Sequence, residues 1–203
     1  MLDALLPPVV AAASTQRVGP TSDFVPSCPS WLTPVRGLVA AHRGAPRRST
    51  GASPARYESA ARKAGKRFEA KVLGALTQRF PFLEVEPGFV FRDAFGSRTC
   101  YPDVVLRFNS STVVVEIKHN GHQLGDAWWQ LERYYRPVVE AVYPSDPVRT
   151  LAIVRKADPF VRVPNAVGVD WNSFDSWRAS VSSGFGVMSW TSLPIQTKRW
   201  HAR

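Results

Sequence analysis

Asp103, Glu116 and Lys118 are two carboxylates and an amine that the local pattern can bring together. Residues 103–108 and 112–118 are strand-like runs rich in β-branched and apolar side chains, and residues 109–111 between them are short enough for a hairpin turn. Residues equidistant from that turn lie opposite one another, which sets Asp103 beside Glu116. Side chains alternate along a strand, so Glu116 and Lys118 share one face while Val113, Val115 and Ile117 take the other. A strand this apolar is usually buried on both faces, and two charges at its end are either a costly ion pair or a site. Paired carboxylates are hard oxygen ligands suited to Mg2+ or Mn2+. Such an ion lowers the pKa of its water and neutralises charge building on phosphorus. Lys118, a compact cation, is placed to hold the attacking water or a phosphoryl oxygen. The chemistry these residues could do is metal-assisted hydrolysis of a phosphate ester.

The flanking elements must position this group. Residues 54–80 read as a helix, with Ser53 as capping candidate, Pro54 at its first position and Pro81 as its stop. At 100° per residue Ala61, Ala64, Gly65, Phe68, Val72, Ala75 and Leu76 form one stripe, and Glu69 falls inside its arc. A carboxylate there is costly unless it is paired or bound to a cation. Arg62, Lys63, Lys66 and Arg67 on the solvent side read as a phosphate-backbone track, the ordinary alternative being a solvated helix face. Arg98 and Tyr101, just before Asp103, and Lys198, Arg199 and Arg203 near the end are weaker candidates for the same contact. Beyond the lysine, residues 123–142 are helical and closed by Pro144, and residues 150–155 form a further strand. His119 and His122, beside Gly121, read as loop residues before ligands, and one of Trp128 and Trp129 is expected in the core.

Pro102-Asp103, a spacer of twelve residues and Glu116-Ile117-Lys118 resemble the PD-(D/E)xK nuclease superfamily of restriction endonucleases, Holliday-junction resolvases and phage or repair nucleases. The resemblance implies an α/β fold with a restriction-endonuclease-like αβββαβ core, a mixed central sheet flanked by helices, over about residues 55–156. It makes Asp103 and Glu116 metal ligands, the Ile117 carbonyl a further one, and Lys118 the catalytic lysine. It also implies that Glu69, in GKRFEAKVLGAL, completes the metal site, with the three carboxylates within about 4 to 6 Å of one another. Gln130 and Tyr134, in WWQLERYY, match a Gln-x-x-x-Tyr placed at i and i+4 on one helix face. The activity it implies is Mg2+- or Mn2+-dependent phosphodiester hydrolysis with water as nucleophile, endonucleolytic, on DNA before RNA, with a homodimer left open. A catalytically inactive nucleic-acid-binding protein on the same fold, an RNA endonuclease, and an interaction protein with a structural ion pair are the rival readings.

With 203 residues the chain suits one folded unit and an arm. Twenty-six Lys and Arg against 16 acids give a net charge of +10, which favours a polyanionic partner. Residues 1–54, rich in Pro, Ser and Ala with five Arg, read as a disordered basic arm. The same composition suits an organellar transit peptide; the other expected location is cytoplasmic or nucleoid-associated. No apolar run is long enough to span a bilayer. Cys28 and Cys100 are too few for a disulfide framework. Residues 157–203, with Trp171, Trp177, Trp190 and Trp200, read as an extension that packs on the core through strands and a short helix near 173–182, ending in a basic tail.

Overall fold

Alternating apolar residues after Pro102 build the centre of the protein. The computed structural model describes residues 25–47, 59–180 and 184–192. In chain order its elements are β1 (Ala40–Arg43), α1 (Ala60–Arg79), β2 (Glu84–Val85), β3 (Phe89–Asp93), β4 (Gly96–Cys100), β5 (Val104–Phe108) and β6 (Ser111–Lys118). Then follow α2 (Leu124–Gln130), a π-helical turn (Leu131–Tyr135), α3 (Arg136–Val142), β7 (Val148–Val154), β8 (Ala166–Gly168), α4 (Phe174–Ala179) and β9 (Phe185–Ser189). A six-stranded sheet runs in the order β2-β5-β6-β7-β9-β8. It is mixed: β2, β5 and β6 are antiparallel, whereas β6, β7, β9 and β8 pair in parallel.

Helices cover both faces, which is why β6 and β7 read as nearly unbroken apolar runs. Val113, Val115 and Ile117 pack with Phe68, Val72 and Leu76 of α1 and with Phe174 and Trp177 of α4. Val105, Val114, Ala152 and Val154 pack with Leu124, Ala127, Leu131 and Val138 from the other side. Each such side chain contributes about 1.5–3 kcal/mol when fully buried, so the ends of β5 and β6 are held firmly. The expected one-residue alternation is therefore realised, and Glu116 shares the face of Val114. Among the described residues no helix is long and apolar enough to cross a membrane.

The first helix starts later than its composition suggests. Ser59 accepts the Arg62 N–H at 3.3 Å as N-cap, and the Phe80 N–H donates to Leu76 O at 2.7 Å just before Pro81. Ser53 and Pro54 lie outside the described residues.

Residues 25–47 correct the expectation of a disordered arm through residue 54. β1 pairs antiparallel with β3, and a second, three-stranded sheet runs β1-β3-β4. Backbone bonds extend the pairing, from Val39 N to Arg92 O at 2.8 Å and from Gly44 N to Gly88 O at 2.9 Å. The segment buries few side chains of its own; it is held as an added edge strand, which composition does not report. Gly88 permits this approach, since a Cβ there would lie 1.9 Å from Ala45 O. Residues 1–24 and 48–54 lie outside the described residues.

The core likewise continues past residue 156. β9 inserts between β7 and β8, and α4 covers the face shared with α1, so the last part of the chain completes the sheet. Three expected strands between the helices are five, because residues 84–100 form β2, β3 and β4.

The helix expected over residues 123–142 is interrupted by the π-helical turn. Pro137 supplies the cause: it has no N–H, and its ring would collide with the carbonyl four residues back, that of Arg133. That carbonyl instead accepts the Val35 N–H at 3.0 Å. The extra residue per turn changes which side chains share a face with Gln130.

Candidate active site

The β5/β6 ladder ends at Val104↔Val115, and one step further along that register Asp103 stands opposite Glu116. Asp103 Oδ2 accepts the Ile117 N–H at 2.7 Å, so the carboxylate takes over where backbone pairing with β5 stops. Glu116 is 3% exposed. Its Oε1 accepts from Lys118 Nζ at 2.7 Å; no donor reaches its buried Oε2 in full hydrogen-bond geometry, although the Gln130 amide is close enough to pull the carboxyl down. Gln130 lies beside it, donating through Nε2 to Tyr135 Oη at 3.3 Å and leaving its own Oε1 buried without a donor.

Burial, then the charge of Glu116, pushes the Asp103 carboxyl well above the ordinary Asp range, against the pull of the Ile117 N–H and Lys118. Burial also raises Glu116, with Lys118 pulling it down. Glu69 is raised by its partial burial and by Glu86, opposed by Lys118, Lys66 and Arg47. The Tyr135 phenol is pushed up by burial and by Glu116 and Asp103. Two acids that resist ionising together, beside buried oxygens without well-placed donors, form a local excess of acceptors.

No family model, curated protein or solved structure matches this chain. What the site can do therefore rests on its own geometry.

Asp103, Glu116, Lys118 and Gln130 come together as the sequence suggested. Tyr134 does not. It packs edge-on against Phe91 and under the Arg98 guanidinium, in the surroundings of Cys100 and Asp93. The π-turn puts Tyr135, five residues after Gln130, at the acids instead. Glu69 approaches without closing the set: among the described residues no three His, Cys, Asp or Glu side chains form a group able to hold a metal. The reason is its helix. Phe68 beside it packs on the face of Val113, Val115 and Ile117, opposite to that of Glu116, so Glu69 must reach around the strand ends.

Arg62, Lys63, Lys66 and Arg67 are exposed on α1. Arg98 is not a surface contact. It ion-pairs with Asp93, donates to Thr33 O at 2.8 Å and stacks over Phe91 and Phe95, so its donors stitch β4 to the N-terminal segment. Tyr101 is half-buried, with the Arg47 guanidinium 6.0 Å from its ring centre. Trp128 is the buried one of the tryptophan pair. Lys198, Arg199 and Arg203 lie outside the described residues.

Sequence reasoning missed three neighbours: Tyr135, Glu86 and Arg155. Tyr135 was detectable through Pro137, whose presence in a helical run predicts a displaced register. Glu86 has φ +43°, unusual for a side chain with a Cβ; its N–H donates to Asp103 O at 2.9 Å, and its carboxylate pairs with Arg47 at 3.4 Å. Nothing in the sequence signals that contact across 39 residues. His119 and Arg155, following β6 and β7, also meet: Arg155 Nη1 donates to His119 Nε2 at 3.4 Å. An arginine cannot accept, so the imidazole proton sits on Nδ1, which donates to Asn120 Oδ1 at 3.0 Å. Gly121 lets the two loops touch, because a Cβ there would lie 2.3 Å from Lys156 O.

The residues present fit a Mg2+- or Mn2+-type ion. Mg2+ usually keeps several waters and takes one or two carboxylates plus substrate oxygens, so Asp103 and Glu116 suffice without a closed protein cage. Glu116 Oε2, buried with only the loosely placed Gln130 amide beside it, is the atom with room for a positive partner.

Proposed function

We propose that the protein is a metal-dependent nuclease on a restriction-endonuclease-like core, hydrolysing phosphodiesters endonucleolytically in DNA. The observation that carries this reading is the pairing of Asp103 with Glu116 at the end of a buried strand, with Lys118 on one Glu116 oxygen and only the loosely placed Gln130 amide near the other. Asp103, Glu116 and the Ile117 carbonyl would hold Mg2+ or Mn2+, with Glu69 contributing through water. When bound, the ion supplies Lewis acidity and an activated water.

The chain's own residues supply the rest. Ile117 N–H fixes one Asp103 oxygen, so the other is presented in a constant orientation. Lys118 Nζ now donates to Glu116 Oε1; with a phosphate present it has further protons to donate to a phosphoryl oxygen or to the incoming water. Gln130 and Tyr135 restrict the rotamer of Glu116 from behind. Arg155 and the exposed α1 cations supply positive charge for the backbone.

The test is cleavage of labelled branched, duplex and single-stranded DNA, and of RNA, in Mg2+, Mn2+ or chelator. Metal-dependent cutting should fall by at least 100-fold in Asp103→Ala and in Lys118→Ala, the scale expected for losing a group that acts in the transition state. Cutting undiminished in Asp103→Ala would overturn the site. Binding without cutting would support a non-catalytic nucleic-acid-binding protein, in which Lys118 and Glu116 simply neutralise each other.

A further inference from the structure

At the opposite end of the sheet from the acids, β7 carries a second charged group. Arg149 pairs in register with Val113, three residues before Ala152 meets Glu116, so along the strand it lies about 10 Å from the acids at about 3.3 Å per residue. It is 8% exposed. Three other arginines at this end each have an acid: Arg136 pairs with Glu132 at 3.1 Å and Glu140 at 2.7 Å, Arg107 with Asp146 at 3.6 Å, and Arg178 with Asp175 at 3.7 Å. Arg149 has no carboxylate within ion-pair distance among the described residues.

One of its donors goes to Ser180 O at the end of α4, which is a structural role for the side chain. That single carbonyl leaves the charge without a counterion and Nε buried without a partner. A guanidinium taken out of water without a counterion is costly, and one carbonyl does not offset that. Burial and the nearby Arg136 charge both weaken its hold on its proton, which is the signature of unshared positive charge. Both arginines line a cleft of about 670 Å³ whose walls also carry Tyr143, Ser180 and two acids, Glu140 and Asp146, each already paired with an arginine other than Arg149. That size is within the roughly 300–1,000 Å³ of small-ligand pockets.

We infer that Arg149 is the ligand of a binding site for a phosphate-type oxyanion, separate from the acid site, with the acid-paired Arg136 adding its charge from the cleft wall. The planar guanidinium fork matches phosphate oxygens in pairs, and Arg149 keeps unused donors for it. Free phosphate and the phosphodiester of a nucleic acid present the same oxygens.

Isothermal titration calorimetry at fixed ionic strength tests this, with inorganic phosphate in one arm and a short single-stranded oligonucleotide, in chelator, in the other. The wild type should bind phosphate at a saturable site, and Arg149→Met should bind it at least tenfold more weakly. Should the circular dichroism of Arg149→Met depart from wild type, Arg136→Gln decides, with a weakening of several-fold. An oligonucleotide that binds more tightly than phosphate and loses its affinity in the same variant identifies the phosphodiester as source; phosphate alone identifies the free anion. No saturable binding of either ligand, or binding unchanged in the deciding variant, overturns the inference. Failure of cleavage leaves these outcomes unaffected.

Discussion

Asp103 and Glu116 work against the fold when both are ionised, because each is desolvated and each raises the other. Their native carboxyls sit above the ordinary values of 3.8 and 4.5, so the native state holds protons more tightly than the unfolded chain. Their contribution to stability is fully present below about pH 4 and is lost as pH rises through the native values. Asp103→Asn keeps an oxygen for the Ile117 N–H and removes one charge. It should therefore stabilise the metal-free protein by roughly 1 kcal/mol at neutral pH, about 2–4 °C in melting temperature for a chain this size. The gain should shrink to nothing as pH falls towards 4, where the wild-type carboxyl is itself protonated. Thermal melts from pH 4 to 8 in chelator check this, and a loss of stability at neutral pH would mean the pair is not in conflict. Asp103, Glu116 and Lys118 were legible in the sequence because a hairpin register and a period of two are enough to place them. Glu86 was not, because its place depends on a left-handed backbone and on an arginine far away in the chain.

At the scale of the element, the π-turn decides which tyrosine serves the site. An α-helical period assigns Tyr134 to Gln130, and Pro137 moves that position to Tyr135. Tyr135→Phe should cost about 1 kcal/mol in denaturant unfolding, because it leaves the Gln130 amide without its acceptor. Tyr134→Phe should stay within about 0.5 kcal/mol, since its hydroxyl makes no hydrogen bond among the described residues and its ring contacts survive. Equal costs would mean that the two hydroxyls are equivalent and that the displaced register is wrong. The same scale explains what else sequence could and could not give. Buried strands such as β6 and β7 and the stripe Phe68, Val72 and Leu76 announce themselves through apolar pattern. β1, with mostly exposed side chains, is held by its backbone, and β9 finds its place between β7 and β8 only through long-range pairing.

For the molecule as a whole, a net charge of +10 surrounds a site whose centre is acidic. The acids lie at the carboxyl end of β6, with the exposed cations of α1 about a turn before Glu69 and Arg155 beside His119 on the neighbouring loop. A polyanion approaching this end gains from the cations before it meets the carboxylates, so an ion that neutralises the acids and the basic helix serve the same approach. If the helix tracks the phosphate backbone, its contribution is counterion release, which does not depend on base sequence. Lys63 and Arg67 are exposed and lie outside the apolar stripe, so Lys63→Ala with Arg67→Ala should leave folding intact. The double variant should weaken DNA binding alike for unrelated sequences and lower the slope of log affinity against log salt by about two. Fluorescence anisotropy on two unrelated duplexes, from low to moderate salt in the absence of divalent ions, measures that slope. A slope equal to wild type would remove α1 from the interface, while a loss confined to one duplex would mean that these side chains read bases.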